Sequence, residues 1–563
     1  MLSVLANLSE HITIRRLLFL SCGLVIVKFR PLICLISRRL RSPLRHLPGP
    51  PSKNWIVGHF FMLLEAQGTT IWETWLEKYG KTMQIRGFCG EYYVCTWDMR
   101  AINYVLSHNT TFTKSEGQRR GIAMILGEGM CFLSRAASLL QLSIFRDFIG
   151  RRGVTQAPGQ VRRIMNPAFG SLHIRNLLPI FITKANQLRD IWLDSLQDSP
   201  EGGTIEILAW LNRTTLDIIG LAGFGYDFCS LENEDQDELS KAFAELFNLN
   251  RHINILVVIK GLVGHILGIG TEDFRRFKAS KATIHRIGTN LVQDKKTQLQ
   301  GDVQGEELHG RDLLTLLIKS NLAETDSRQA MTDKEVLGQI STFLAAGHET
   351  TSSTVAWALY ALTKHPEVQT KLREELQGAG FGDEPSIDEL GSLIYLQNFV
   401  REVLRVYAVI GMAARQVAHD TVIPVGENFT DLRGMIQTGI RVQEGDSVVI
   451  PILSINRSKD IWGEDAMEFN PERWNNLPNA VKEMPGVWGN ILTFLHGPHS
   501  CIGHRFAVEE MKALIYVLIR AFEFEIDPDI EIEGKTGLAT RPCVKSGSNK
   551  IDKLPLICRP VTY

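Results

Sequence analysis

Apolar residues recur every three or four positions along most of the chain, which is the spacing of one face of an α-helix. Helices are predicted by this spacing over residues 71–79, 177–197, 205–221, 234–248, 271–299 and 332–365. Runs rich in β-branched and aromatic residues predict two strands, at 82–86 and 92–97. No internal repeat is evident in the sequence. The pattern therefore predicts a mainly α fold with small β-sheets (α+β) in one large domain.

Polar residues mark several of the predicted helix boundaries. Asp98 lies directly before a helical pattern and is predicted to be its N-cap. Thr332 is followed three positions later by Glu335, which is the spacing of a capping box at the start of a long helix. The glycines at 223 and 225 are predicted to end the helix that precedes them.

The first 46 residues combine an apolar run with basic flanks. Residues 17–27 are mostly apolar, and arginines and lysines lie on both sides of them. As a helix this run spans roughly 17 Å, short of a ~30 Å hydrocarbon core unless 31–36 extend it. We expect 1–46 to be a membrane anchor with a basic flank, 47–58 a proline-rich hinge, and 59–563 a cytosolic main domain. A cleaved signal peptide and a buried core helix are the alternatives.

Composition narrows the class of protein. Hydrophobic residues make up 44% and charged residues 22% of the 563 positions, which is ordinary for a globular protein. The net charge of −1 gives no electrostatic reason to expect nucleic acid as a partner. The nine cysteines are odd in number and form no Cys-x-x-Cys pair, so a reducing compartment is favoured over a disulfide framework.

One cysteine, Cys501, lies in a loop rich in glycine and histidine, directly before an apolar helical run. Unpaired N–H groups at a helix N-terminus favour the thiolate, and Gly497 and Gly503 leave room for a flat ligand against the backbone. An iron porphyrin with a cysteine axial ligand requires these features. Two alternatives stay open from the residues alone: a small buried cysteine, or a zinc site that adds the neighbouring histidines.

The long helix carries polar residues in the middle of an apolar stretch. Ala346 and Gly347 are small and would leave a groove, and Glu349 and Thr350 follow them. A threonine hydroxyl can hydrogen-bond a bound dioxygen, while a nearby carboxylate relays protons from solvent. The alternative is a helix in which the hydroxyls bond back to carbonyls of the preceding turn.

These two blocks resemble sequence motifs of the cytochrome P450 family. Residues 494–503 are similar to its haem-binding loop, Phe-x-x-Gly-x-Arg-x-Cys-x-Gly, with His499 where arginine is usual. The loop matches the pattern at Phe494, Gly497, Cys501 and Gly503. Residues 346–351 match the family's Ala-Gly-x-Asp/Glu-Thr-Thr pattern in full. The cysteine loop looks most like that of fungal microsomal members.

The resemblance implies a role for each matched residue. Cys501 would be the axial ligand of the iron in haem b, and Glu349 and Thr350 would manage protons and oxygen. Three basic residues would hold the haem propionates: Arg162, Arg415 and His499. The apolar residues 409–414 would border the substrate pocket.

A pair of opposite charges lies upstream of the cysteine loop. Glu402 and Arg405 are spaced i and i+3 on one helix face among apolar neighbours, so the pair is predicted to be buried. Removing one partner of a buried ion pair strongly destabilises the fold, whereas an exposed ion pair contributes little to its stability. Arg473 supplies a third charge, and in the family these three form a structural triad that locks the core around the haem.

Residues 131–156 depart from the family pattern. This stretch has several arginines, no clear helix cap and no matching acidic face. In the family an aromatic residue or histidine lies four positions before the propionate-binding arginine, but Pro158 occupies that place before Arg162. We therefore expect 131–156 to be an atypical insertion that disturbs haem binding; a tolerated surface loop is the alternative.

The resemblance implies a haem-thiolate monooxygenase that inserts one oxygen atom from O2 into a lipophilic substrate. NADPH–cytochrome P450 reductase would supply the electrons, with cytochrome b5 as an additional donor, because the sequence has no flavin or nucleotide motif. The anchor would hold the protein in the endoplasmic reticulum membrane. The alternatives are an oxygen-independent isomerase or dehydratase, and a haem-binding protein whose activity is impaired by 131–156.

Overall fold

The computed structural model describes residues 41–52, 54–55, 57–59, 62, 69–87, 90–114, 158–199, 201–232, 237–251, 272–301, 312–324, 330–537, 539–547 and 549–561. All but the last six residues of the predicted anchor lie outside these ranges, as does the whole of the predicted insertion, so both stay predictions. Among the residues described, no helix is both long enough and apolar enough to cross a bilayer.

Helices make up most of the described chain, as predicted. In chain order they are α1 (Thr69–Tyr79), α2 (Met99–Ser107), α3 (Pro158–Met165), α4 (Ser171–Ser195), α5 (Ile207–Phe224), α6 (Glu238–Arg251), α7 (Glu272–Gly301), α8 (Leu313–Leu322), α9 (Asp333–Lys364), α10 (Pro366–Gly378), α11 (Ile387–Ser392), α12 (Ile394–Val406), α13 (Ile452–Ile455), α14 (Lys459–Trp462), α15 (Asn479–Lys482) and α16 (His504–Ala521). Short 3-10 helices lie at Pro43–His46, Asn166–Phe169, Pro471–Asn475, Leu492–Phe494 and Gly497–His499.

The strands form four small sheets. They are β1 (Thr82–Arg86), β2 (Tyr92–Thr96), β3 (Phe112–Thr113), β4 (Gly203–Glu206), β5 (Ala413–Val417), β6 (Thr421–Thr430), β7 (Ile436–Val442), β8 (Ser447–Ile450), β9 (Phe522–Glu525), β10 (Ile532–Thr536), β11 (Thr540–Ser546), β12 (Asn549–Ile551) and β13 (Pro555–Pro560). The largest sheet has the order β1-β2-β8-β5-β3 and one parallel pair, β2 with β8. The others are β10-β11-β12, β4-β13-β9 and β6-β7.

Most predicted boundaries agree with these elements. Helices α1, α7 and α9 and strands β1 and β2 are confirmed to within two residues. The capping box is present, Asp98 accepts a hydrogen bond from the N–H of Ala101 (2.9 Å), and Gly225 ends α5 with φ +65°. The helix predicted over 205–221 begins two residues later, because Ile205 lies in β4, which pairs with β13 near the C-terminus. The start of the helix predicted over 177–197 was wrong, because α4 begins six residues earlier, at Ser171.

The described start of the chain packs onto the main domain. Leu44 and Leu47 are buried in the core, and the carbonyl of Pro48 accepts a hydrogen bond from the N–H of Gln84 in β1 (2.7 Å). A Cβ at Gly49 would lie 2.0 Å from the Gln84 carbonyl oxygen, so the two backbones are in direct contact. The first residues of the predicted hinge are therefore fixed against the sheet.

Helix α9 runs through the middle of the helical layer. It packs against α5 and α16, and α16 also packs against α4. Gly347 allows the close approach of α5, because a Cβ there would lie 2.9 Å from Cδ1 of Ile219. The small size of Gly347 is thus required by the contact with Ile219, and the groove predicted beside Ala346 and Gly347 stays a prediction. The cysteine loop leads directly into α16.

Candidate active site

The loop that presents Cys501 is shaped by its backbone. The N–H of Cys501 donates to the carbonyl of Phe494 at 2.8 Å. Gly497 has φ +72°, and a Cβ there would lie 2.4 Å from the carbonyl oxygen of Leu106, so only glycine fits. Leu495 has φ +58° and ψ −166°, a conformation that costs a non-glycine residue about 1–3 kcal/mol. Its surroundings therefore hold the loop in one shape.

Burial dominates the chemistry of the Cys501 thiol. Burial raises the pKa of this thiol, and the N–H of Gly503 and the charge of Arg162 lower it, which leaves the pKa at about 11. The loop N–H before α16, which begins at His504, therefore favours the thiolate as expected, but desolvation of the charged sulfur outweighs this effect in the protein alone. A metal cation bound to the sulfur would reverse this balance, since a coordinating thiol loses its proton.

Arg162 ties helix α3 to the cysteine loop. Its Nη1 donates to the carbonyls of Ser500 (2.7 Å) and Pro498 (2.9 Å), and its Nη2 donates to Oγ of Ser500 (3.1 Å). Pro158 is the first residue of α3, a position where the missing N–H is not needed. The helix thus forms without the residue type that the family has at this position.

The three residues predicted to hold propionates lie near one another. Burial, together with the positive charges of Arg415, Lys114 and Arg162, lowers the pKa of His499 to about 4. His499 is therefore neutral near pH 7 and has a single N–H to donate. Lys114 was missed in the sequence, because a lone lysine after a short strand has no spacing that indicates a role.

Arg415 lies within β5, and no carboxylate in the described ranges forms an ion pair with it. It is 5% exposed, its Nη1 donates to the carbonyl of Ala414 (2.9 Å), and burial lowers its pKa to about 10. Its Nη2 is buried and has no hydrogen-bond partner in the described part of the chain. A buried guanidinium with a free N–H and further positive charges around it is suited to bind carboxylates.

The residues present therefore fit a haem, because Cys501 could bind its iron and Arg415 could bind one of its carboxylates. At Gly503 a Cβ would meet only a ring carbon of Phe169, at 3.7 Å, so the backbone is open to a flat ligand. The zinc alternative is not supported, because no three His, Cys, Asp or Glu side chains in the described ranges could share a metal ion. His504 instead uses Nδ1 in a contact with the carbonyl of Cys501 (3.1 Å).

Glu349 and Thr350 of α9 both contact other groups of the protein. The Thr350 hydroxyl donates to the carbonyl of Ala346 at 2.6 Å, which is the back-bonding alternative. Glu349 is buried and pairs with Arg541 of β11, whose Nη2 lies 2.5 Å from Oε1. The side chain of Glu349 is thus only 5% exposed, and its carboxylate is paired with a cation. Arg541 was also missed, because it lies 192 positions away in the sequence.

The charged triad lies in the core. Arg405 donates to both oxygens of Glu402, at 2.7 and 2.9 Å, and the side chains of both residues are 0% exposed. Nε of Arg473 lies 3.5 Å from Oε1 of the same carboxylate. Trp474 also donates to Glu402, from Nε1 at 3.0 Å. The structure thus brings the three predicted residues together, and the buried environment expected for the pair is confirmed.

Known proteins are similar to this chain over most of its length. Residues 156–542 match the family described as Cytochrome P450. Cytochrome P450 monooxygenase 205 of Postia placenta is 42% identical, with 94% of this chain and 95% of the relative covered. Cytochrome P450 monooxygenase 128 of the same fungus is 41% identical, covering 92% and 93%. Cytochrome P450 monooxygenase claW of Ampulloclitocybe clavipes is 31% identical, covering 95% of each chain. This protein therefore belongs to the cytochrome P450 family of haem enzymes, and its relatives are named monooxygenases.

Proposed function

We propose that this protein is a membrane-anchored haem-thiolate monooxygenase that inserts one oxygen atom from O2 into a lipophilic organic substrate. Electrons from NADPH arrive through NADPH–cytochrome P450 reductase, with cytochrome b5 as an additional donor. The observation that carries the proposal is the buried Nη2 of Arg415, which has no hydrogen-bond partner among the residues described and lies among basic residues near the Cys501 loop. Family membership supports a redox partner and a lipophilic substrate in general terms.

The chain's residues bind the cofactor and tune its ligand. Haem supplies the oxygen-activating chemistry when bound, and thiolate ligation favours O–O cleavage. Cys501 would supply the sulfur that binds the iron, and the N–H of Gly503 and the charge of Arg162 would stabilise its ionised form. Arg415 and Arg162 would compensate the propionate charges, and His499 would donate a hydrogen bond.

Proton handling falls to helix α9. Thr350 would release its hydrogen bond to the carbonyl of Ala346 and offer its hydroxyl as a hydrogen-bond donor in the site. Glu349, one position earlier, would accept a proton and pass it on. Val409 and Met412 are buried and apolar, which favours a substrate wall that excludes water. Residues 1–46 anchor the protein in the endoplasmic reticulum membrane, and residues 59–563 form the catalytic domain on the cytosolic side.

The test is the absorption spectrum of the reduced, carbon monoxide-bound protein. We expect the long-wavelength band of a thiolate-ligated haem in the unsubstituted protein and in Cys95→Ala, a control that removes another buried cysteine. Cys501→Ala should lose the band. If Cys501→Ala keeps the band, or if the unsubstituted protein with haem never shows it, the proposal is wrong.

Turnover separates a monooxygenase from other haem proteins of the same fold. Purified protein, the reductase and NADPH are incubated under 18O2 with a panel of lipophilic compounds that shift the haem spin state. Incorporation of one labelled oxygen atom into a product supports the proposal. An NADPH-independent rearrangement or loss of water would indicate an isomerase or dehydratase instead.

A further inference from the structure

A buried ion pair joins Glu349 of α9 to the three-stranded antiparallel sheet β10-β11-β12, which is called the C-terminal hairpin here. Nη2 of Arg541 lies 2.5 Å from Oε1 of Glu349, and the side chains are 4% and 5% exposed. Two charges buried this deeply are tolerated only together, because each alone has lost its hydration. Arg541 therefore stabilises the ionised form of Glu349.

The other side of Arg541 faces a second carboxylate. Its Nη1 lies 3.8 Å from Oδ2 of Asp552, the residue directly after β12. Burial raises the pKa of Asp552, but the hydrogen bond from Lys535 and the charge of Arg541 more than offset this, so its pKa lies below the usual value. Cys543 also bonds Asp552 through Sγ, at 3.3 Å. These contacts hold the guanidinium in one position from the hairpin side.

The turn of the hairpin packs directly against the pair. A Cβ at Gly537 would lie 2.8 Å from Nη2 of Arg541 and 3.7 Å from Oε1 of Glu349. The φ of Gly537 is not positive, so an alanine there is restricted by the guanidinium rather than by the backbone. The absence of a side chain at 537 thus leaves the space in which the two charged groups meet.

The residue next to Arg541 contacts the predicted substrate wall. The N–H of Thr540 donates to the carbonyl of Val409 at 2.9 Å. The carbonyl of Thr540 accepts from Nε1 of Trp357 on α9, also at 2.9 Å. Two consecutive residues of β11 therefore connect the pocket wall, helix α9 and the Glu349 carboxylate.

We propose that Arg541 is a positioning residue that keeps Glu349 ionised and fixed one position before Thr350. The inference rests on the proposed function for the use of Glu349 in proton transfer, but the ionised state of Glu349 does not depend on that function. Removing the cation shifts the balance of a carboxyl in this buried position toward its protonated form. A neutral Glu349 cannot accept the next proton, so removing Arg541 should slow proton delivery.

Four variants separate charge, geometry and fold. Arg541→Gln removes the cation, Arg541→Lys keeps it, and Gly537→Ala pushes the guanidinium aside without removing it. Lys545→Gln is the matched control, because Lys545 is a cation on the same strand whose partners, Glu531 and Glu533, are on the hairpin surface. The thiolate-ligated haem spectrum of each variant shows that the fold and the cofactor are retained.

The first measurement is infrared spectroscopy of the ferric, haem-loaded protein without reductase. We expect Arg541→Gln to gain the stretching band of one protonated carboxyl group, which disappears when Glu349→Gln is added. Arg541→Lys and Lys545→Gln should lack the band. If Arg541→Gln has no such band, or if Lys545→Gln produces the same one, the proposal is overturned. This result is independent of whether the protein is a monooxygenase.

The second measurement is NADPH oxidation supported by the reductase without added substrate. We expect Arg541→Gln to slow it about tenfold, a modest part of what a positioned proton-transfer group contributes. Gly537→Ala should lie between Arg541→Gln and the unsubstituted protein, and Arg541→Lys should recover most of the rate. An unchanged rate in Arg541→Gln with the infrared band present would overturn the proton-delivery part. No oxidation by the unsubstituted protein would instead count against the proposed function.

Discussion

Glu402→Gln tests how strongly the buried triad stabilises the fold. The substitution keeps the shape of the side chain and removes one negative charge from a site that solvent does not reach. The carboxylate accepts hydrogen bonds from Arg405 (2.7 and 2.9 Å), from Trp474 (3.0 Å) and from the N–H of Asn470 (2.9 Å). The glutamine amide can accept hydrogen bonds only at its single oxygen, and its NH2 group then faces the remaining donors.

The magnitude follows from the groups left behind. Arg405 keeps its hydrogen bonds to the carbonyls of Ala466 (2.5 Å), Glu468 (2.9 Å) and Asn456 (3.0 Å) but loses its counter-charge. Leaving one charge of a buried pair uncompensated costs about 3–5 kcal/mol. No cavity forms, and the three carbonyls still accept hydrogen bonds from the guanidinium. We therefore expect Glu402→Gln to lower the free energy of unfolding by about 3 kcal/mol, the lower end of this range.

The assay is urea unfolding of the haem-loaded protein, followed by far-ultraviolet circular dichroism at one haem-to-protein ratio. That ratio is held constant because bound haem adds to the measured stability. Glu472→Gln is the control, since Glu472 is exposed and its pair with Lys371 should contribute less than about 1 kcal/mol. If Glu402→Gln is no more destabilising than this control, the argument from burial is refuted.

Three further predictions concern the cofactor, pH and proton transfer. Arg415→Gln removes a buried charged donor worth about 1.5–3 kcal/mol, so haem transfer to apomyoglobin should be about tenfold faster or more; an unchanged rate would contradict a propionate contact. Burial raises the pKa of Glu510 well above 4.5 in the folded protein. As the pH rises, Glu510 therefore loses its proton first in the unfolded chain, and the free energy of unfolding falls from about pH 4.5 up to the pKa of the folded state. The urea midpoint of the unsubstituted protein should therefore fall as the pH rises through this range, and that of Glu510→Gln should fall less. If the midpoints of the two proteins change with pH in parallel, the explanation is wrong. Thr350→Ala should divert NADPH electrons from product to hydrogen peroxide, and unchanged coupling would remove Thr350 from proton delivery.

Local sequence was sufficient wherever the determining contacts are close along the chain. The capping box of α9, the N-cap at Asp98 and the end of α5 at Gly225 involve residues only a few positions apart, and all three were predicted. The burial of the Glu402–Arg405 pair could also be predicted from the sequence, because apolar residues surround both positions on one helix. The cysteine loop was recognised from its own residues.

Only the tertiary structure decided what surrounds those residues. Strand β4 exists because β13 pairs with it, Ile219 packs against Gly347, and Arg541 reaches Glu349 across 192 positions. Burial, which a linear pattern does not measure, raises the pKa of Cys501 against the effect of the neighbouring N–H. The sequence by itself thus determined which groups carry the chemistry, and the fold decided their partners and charges, since electrostatic interactions depend on distance and desolvation rather than on order along the chain.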